Sequence, residues 1–538
     1  MLSRLTLGLF AAVGIAAALP AQAQSLKIAI SAEATSADPH YHKNTANEAL
    51  AAHVYEMLIG RDANMNLVPR LATSWKNTDD LTWEIKLRDG VKFSNGKPFT
   101  SEDVLFTICR TLNNKTNISD SYATFTKLFA DVQTPDAHTV IIKTREPLPV
   151  MPQELARSLS IIWNGIVPHG KLSFDPEHGC GVTGPWPTNA DFNNGKDAIG
   201  TGPYVQKSWT KGTGVELQRN EGYWGTKPAW KEVKMVPVPN AGPRLTGLLS
   251  GDFDVVENPA ARDLQRLKDN PKFGYVATPS TRLVFFQPDV ARSPSPFVKA
   301  ADGKNPLQDV RVRRAISMAI DRKTIDARIM DGLATPAYQF MPDGMFGGMA
   351  KAPEIKYDPE GAKKLLAEAG YPNGFELTVS GTNDRYINDG QIMQAVAQYL
   401  SRVGIKTNVD AMTASIYFPK RAKREFSFSL GGWPSEVGEA SGLFQLWVVS
   451  TDAPKSFGTS NYGGYSNPAF DKLYIPGSVT VDPAKRRALY EQATKIALDD
   501  LALIPLHFES SIWAFRKGLT YEGRRDQFTL AMSVKEAK

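Results

Sequence analysis

The chain has 538 residues, 42% hydrophobic and 22% charged, with 62 Lys and Arg against 56 Asp and Glu. That length exceeds what one hydrophobic core serves, so at least two lobes are expected. The formal charge of +6 is scattered, basic residues alternating with acidic ones, which is the pattern of a solvated surface and argues against nucleic-acid binding.

Met1 to Ala23 places Arg4 before an apolar run from Leu5 to Leu19, followed by Pro20 and Ala21-Gln22-Ala23. This is the layout of a cleavable secretion signal. Cleavage is expected after about Ala23, releasing a chain that starts near Gln24 into the periplasm. An uncleaved anchor is the weaker alternative, because the run falls short of the roughly 20 residues that span a bilayer. No cysteine directly follows the run and no later stretch is long and apolar enough to cross a membrane, so neither a lipid anchor there nor membrane insertion is expected.

Leu26 to Ile30 reads as a strand that opens into the loop Glu33-Ala34-Thr35-Ser36-Ala37-Asp38-Pro39. From Ala46 to Ile59 apolar residues recur at three- and four-residue steps, predicting a helix. Leu81 to Leu87 alternates strictly, predicting a half-exposed strand closed by the turn Arg88-Asp89-Gly90. Thr100-Ser101-Glu102-Asp103 has capping-box spacing, so a helix carrying Cys109 begins there. Cys109 and Cys180 invite a disulfide in an oxidising compartment, with two inert buried thiols as the alternative. A closed loop of roughly 70 residues would stabilise the fold by about 3–4 kcal/mol in the chain-entropy model.

The later half predicts strand and helix in alternation. Asp358-Pro359-Glu360 caps a helix that Gly370 ends; Phe375 to Ser380 is a strand, Ile387 to Val403 a helix stopped by Gly404, and Ile405 to Val409 a strand. Ser415 to Arg424 forms a helix before the strand Phe426 to Leu430. Asp482-Pro483 caps a helix reaching Leu498, and Ile504 to Phe508 returns as a strand. This β-α-β-α-β order implies parallel neighbours, and ligands of such sheets sit beyond the carboxyl ends of the strands. Two loops leave such ends, Gly381 to Tyr386 and Gly431 to Glu439. On one rim, Arg385 would fork onto a carboxylate, Glu436 and Glu439 would accept from an ammonium, and Trp433 would form an apolar wall. The plainer alternative pairs Arg385 with Asp384 or Glu436 at the surface and leaves Trp433 in the core.

Thr82-Trp83-Glu84-Ile85-Lys86-Leu87-Arg88-Asp89-Gly90-Val91-Lys92-Phe93-Ser94-Asn95-Gly96-Lys97-Pro98-Phe99 resembles the signature of the extracellular solute-binding protein family 5, the peptide-binding receptors of ABC importers. Leu67 to Trp75, Gly200 to Tyr204, Arg219 to Trp224, Val310 to Ile320 and Asn461 to Pro468 agree in the same order. The resemblance implies an α/β fold of the periplasmic-binding-protein kind, type II-like, with two lobes around a hinged cleft. Lobe one would comprise 24–60, 186–280 and 504–538, with an extra subdomain at 61–185, and lobe two would run from 281 to 503. In dipeptide-type members an aspartate following a Gly-Trp pair binds the peptide amine, and an arginine in the loop after an earlier strand binds the carboxylate. The resemblance sets Arg385 at that arginine and Glu439 at that aspartate, one methylene longer. Trp433, Tyr386, Ser435, Glu436, and Thr35 and Ser36 from the lobe-one loop complete the expected ligand set.

The expected function is therefore capture of a short peptide or peptide-like zwitterion by a monomeric receptor that delivers it to the permease subunits of an ABC importer. A non-peptide solute such as an opine, glutathione, a sugar or a nickel chelate is the alternative, and a secreted hydrolase is disfavoured. No nucleophile elbow, zinc-protease helix, phosphate loop or dinucleotide fingerprint occurs, so no catalytic residue and no cofactor is expected. His40 and His42 alternate beside the cleft loop without a third ligand, so they are expected to face solvent rather than a metal.

Overall fold

The computed structural model describes residues 25–113 and 122–537; the expected secretion signal, Met1 to Ala23, lies outside them. The fold is organised by one 12-stranded sheet that runs through both lobes. In lobe one, strand Ser25–Ile30 lies parallel to Glu232–Pro237 and to Val255–Glu257. Two long antiparallel strands, Phe273–Pro288 and Ile504–Arg516, carry the sheet into lobe two. Their register breaks between Pro279 and Leu283, opposite Phe508 to Ser510, an irregularity of the kind that bends a ladder locally.

Alternation along these strands puts a core on each face of the sheet. Val284 and Phe286 join the cluster under the helices Val310–Ala319 and Asp389–Arg402, whereas Leu283 and Phe285 join the cluster with Phe444, Tyr474 and Tyr490. In lobe one Trp513 faces the largest core and Ile512 and Ala514 the opposite one. A separate four-stranded antiparallel sheet, Ala72–Asp79, Thr82–Leu87, Thr139–Thr144 and Phe129–Asp136, falls within the expected extra subdomain.

The expected βαβαβ unit is present. Glu376–Thr382 pairs in parallel with Lys406–Met412 and with Phe428–Pro434, with helices Asp389–Arg402 and Ala414–Ala422 between them. Asp358 and Asp482 cap their helices by accepting from backbone N–H groups of the first turn. Asp103 bonds back to the Thr100 N–H at 2.8 Å at the start of helix Ser101–Asn113. That helix is tied to the segment after Asp175 by the disulfide between Cys109 and Cys180.

Three expectations need correction. The first helix spans Thr45–Val54 rather than reaching Ile59, because the Val54 carbonyl accepts from Gly202 at 2.9 Å. A Cβ at Gly200 would lie 2.0 Å from that same oxygen; the Gly200–Gly202 backbone packs there and the chain leaves as an extended segment. Gly431 to Pro434 belong to a strand paired with Arg282 to Phe285, not to a loop. His40 does not face solvent: it is fully buried, its Nε2 bonded to the Ser160 carbonyl at 2.9 Å and its Nδ1 2.8 Å from Arg110. Arg110 in turn forks onto buried Asp38 at 2.9 and 2.6 Å, so the loop after the first strand is fixed by a paired interior charge.

Candidate functional site

A cavity of about 480 Å³ opens at the lobe junction, a size suited to a small ligand. Its lobe-one wall is made by Ser31 to Ala34, Ala46, Ala49, Leu50 and Glu257, and Trp209 and Met235 contribute further apolar surface. Arg282 and Glu509 line it from the two crossing strands, and Arg385, Ile387 and Asn388 from lobe two.

Arg385 is presented by a loop built around buried Asp389. That carboxylate accepts from the N–H groups of Arg385 and Tyr386, both at 3.1 Å, and from the Thr382 hydroxyl at 2.6 Å. The Glu509 carboxylate accepts from the Ile387 N–H at 2.9 Å, joining the same loop to the crossing strand. The Arg385 side chain is exposed, lies 5.5 Å from the Tyr386 ring centre, and has no ion pair among the described residues. Neither of the acids considered as surface partners engages it: Asp384 accepts from the Ala414 N–H at 2.8 Å and Glu436 pairs with Arg157 at 2.7 Å.

The neighbouring guanidinium is different. Arg282 Nε lies 3.5 Å from Glu509 Oε2, and its Nη2 donates to Gln527 at 3.0 Å. Burial pushes the Glu509 carboxyl above its ordinary range and the Arg282 guanidinium below its own, and each charge opposes the other's shift. Arg282 thus has Glu509 as its direct partner, whereas Arg385 feels the same carboxylate through space and forms no ion pair of its own among the described residues.

The other sequence-predicted residues divide. Tyr386 is buried, its hydroxyl 3.4 Å from the Gly432 carbonyl. Trp433 packs partly buried against the Phe444 cluster, its ring close to Gly442. Ser435 is buried and donates to the Glu439 carbonyl at 2.7 Å, while its own carbonyl accepts from Thr281 at 3.1 Å. Glu439 is buried in a two-pronged pair with Arg486, Oε2 at 3.0 Å from Nη1. Glu436 reaches across to lobe one, where Arg61 also donates to its carbonyl at 2.5 Å. Thr35 bonds Asn47, and buried Ser36 donates to Asn193 at 2.8 Å; their neighbours Ser31 to Ala34 form the cavity wall. Arg385 is thus the member of the expected set found in the described lining. Arg282, Glu509 and Glu257 were not singled out by sequence, since their partners lie far away along the chain and no local spacing marks them.

A family model for bacterial extracellular solute-binding proteins, family 5, matches residues 66–455. The chain belongs to that family. As a family 5 solute-binding protein it is the component of an ABC-type importer that binds the solute. Among curated proteins, it is 28% identical to the glutathione-binding protein GsiB of Escherichia coli (strain K12) over 521 residues, 95% of this chain and 94% of the relative. Among solved structures, the unliganded open form of the periplasmic murein tripeptide binding protein MppA superposes with a TM-score of 0.78 at 22% identity, covering 96% of this chain and 98% of that one. HbpA2 from Haemophilus parasuis gives the same TM-score of 0.78 at 22% identity, over 96% and 100% of the two chains. These likenesses establish the two-lobed fold of this family 5 protein.

Proposed function

We infer that this chain captures a small zwitterion of the short-peptide class in the cavity between its lobes and delivers it to the permease of an ABC importer, acting as a monomer in the periplasm without catalytic turnover. The observation that carries the reading is Arg385: a guanidinium with no ion pair among the described residues, on a loop held by Asp389 and Glu509, at the wall of an interlobe cavity. Such a group recognises a carboxylate by two parallel hydrogen bonds. The glutathione-binding relatives, and the solved structure of DppA from Helicobacter pylori in complex with the peptide STSA, support the same solute class.

A solute that touches both walls only when they approach favours the closed arrangement by its differential affinity for it. The register irregularity at Pro279 to Leu283 opposite Phe508 to Ser510 supports a bending point in the crossing strands. The test is a thermal-shift panel of trialanine, glutathione, an opine, a sugar and a nickel–histidine chelate. Stabilisation that follows RT ln(1 + [L]/Kd) with the peptides supports the reading. Stabilisation by the sugar or the chelate alone contradicts the peptide class.

A further inference from the structure

A carboxylate anchor in lobe two leaves open what receives the positive end of a zwitterion, since Glu439 is engaged by Arg486 and lies outside the described lining of the cavity. The cavity holds another acid. Glu257 stands at the carboxyl end of strand Val255–Glu257, which runs parallel to Ser25–Ile30, and Ser31 follows directly from that neighbour. This is the end of a parallel pair at which ligands are received.

The hydrogen bonding around Glu257 is incomplete in a specific way. Its Oε1 accepts from the Ser31 N–H at 3.2 Å and from the Ser31 hydroxyl, and its Oε2 accepts from the Thr529 hydroxyl. A carboxylate offers about four acceptor directions, so one on Oε2 remains. No Lys, Arg or His pairs with it among the described residues. The nearest guanidinium, Arg244, is engaged by main-chain carbonyls: Glu257 at 2.8 Å, Val238 and Pro239 at 2.6 Å, and Asn258 at 2.7 Å. Arg244 therefore clamps the backbone at Glu257 and Asn258; its charge acts on the Glu257 carboxylate through space, but the two form no ion pair among the described residues. The acid is held in place before any ligand arrives.

We propose that Glu257 receives the cationic group of the bound solute, so that a zwitterion is held with its ammonium on lobe one and its carboxylate on Arg385 of lobe two. The inference rests on the zwitterion reading above. It also gives that reading a reason for closure: the two charges of one small molecule are complemented by different lobes, and both are satisfied only when the lobes approach. Glu33 lines the same wall, but it sits partly exposed on a loop and accepts from the Gly212 N–H of a surface turn, without the backbone clamp that fixes Glu257.

The test is isothermal titration with trialanine and glutathione, each with its N-acetylated form, on the wild type, Glu257→Gln and Glu33→Gln. Losing a charge-assisted hydrogen bond in a partly desolvated site corresponds to roughly ten- to hundred-fold in affinity. The wild type should prefer the free amine by that factor. Glu257→Gln should lose the preference while binding the acetylated peptides as the wild type does, which also shows that it is folded. Glu33→Gln should keep the preference. Equal wild-type affinity for free and acetylated forms overturns the proposal, and so does discrimination that survives in Glu257→Gln or vanishes in Glu33→Gln. If none of the four probes binds the wild type, the peptide reading itself falls and this inference with it.

Discussion

Arg157, just after helix Met151–Leu155, and Glu436, just after strand Phe428–Pro434, meet Nη1 to Oε2 at 2.7 Å, while the same arginine holds Glu48 at 3.0 Å. Arg61 adds a bond from the lobe-one side to the Glu436 carbonyl at 2.5 Å. The two lobes are thus linked by a charge contact as well as by the crossing strands. Replacing Glu436 by Ala leaves Arg157 paired with Glu48, and the Glu436 side chain is about half exposed, so the loss of stability should be no more than about 1 kcal/mol. The conformational effect should be larger. Small-angle scattering of the ligand-free variant is expected to give a larger radius of gyration than the wild type, and an unchanged scattering curve would show that the pair does not restrain the lobes.

Glu439 and Arg486 are both buried, and each is the other's charge partner. Removing one member of a buried pair leaves the other uncompensated, which costs about 3–5 kcal/mol. Glu439→Ala should therefore unfold at markedly lower urea concentration. A variant of wild-type stability with reduced peptide affinity would instead place this acid in ligand recognition.

Acid should weaken the fold through three interior histidines. Burial holds His40 and His507 down to about 3 and His53 to about 4, whereas an unfolded histidine protonates at about 6.5. Between those values the unfolded chain binds more protons, so stability falls as pH drops below about 6.5 and is insensitive to these groups above 7. Asp103, raised to about 6 by burial, works in the opposite direction because its folded form retains a proton longer. Glu48, Glu56 and Glu509, also raised by burial, act with Asp103, so the histidine contribution is read from a histidine variant rather than from the net acid response. Neither ring nitrogen of His507 has a hydrogen-bond partner among the described residues, so His507→Leu should be tolerated at neutral pH. Urea titrations at pH 7 and 4.5 should show the variant losing less stability than the wild type, by roughly 1 kcal/mol per pH unit below 6.5. Identical losses would contradict the assignment.

The Cys109–Cys180 bridge closes a loop of 71 residues in sequence separation. Converting both cysteines to Ser should lower stability by roughly 4 kcal/mol in the chain-entropy model. Mass spectrometry of an unreduced digest should recover the linked peptides; free alkylation of both thiols in the folded protein would refute the bridge.

What could be read in the sequence followed local chemistry. The alternation of helix and strand in the later half was legible because Asp358, Asp482, Gly370 and Gly404 mark helix ends and periodicity distinguishes helix from strand between them. The loop that carries Arg385 to the cavity wall was marked by the topology rule, and the family resemblance singled out the arginine within it. The helix end at Val54 was not, because it depends on Gly200 and Gly202, far away in the chain. The pairing of the acids was hidden for the same reason: Glu439 looked available until folding brought Arg486 to it, and Glu257 forms no ion pair among the described residues because Arg244 bonds to the backbone. His40 shows the limit of spacing arguments, since alternation in a loop does not tell an interior side chain from a solvated one.

The central claim is that Arg385 anchors the carboxylate of a peptide-class solute between the lobes. Isothermal titration of trialanine and glutathione into the wild type and Arg385→Ala tests it most directly. The account predicts at least a tenfold loss of affinity in the variant, with an unchanged unfolding midpoint when no ligand is present, because this exposed side chain makes no ion pair among the described residues. Equal affinity in the two proteins would contradict it.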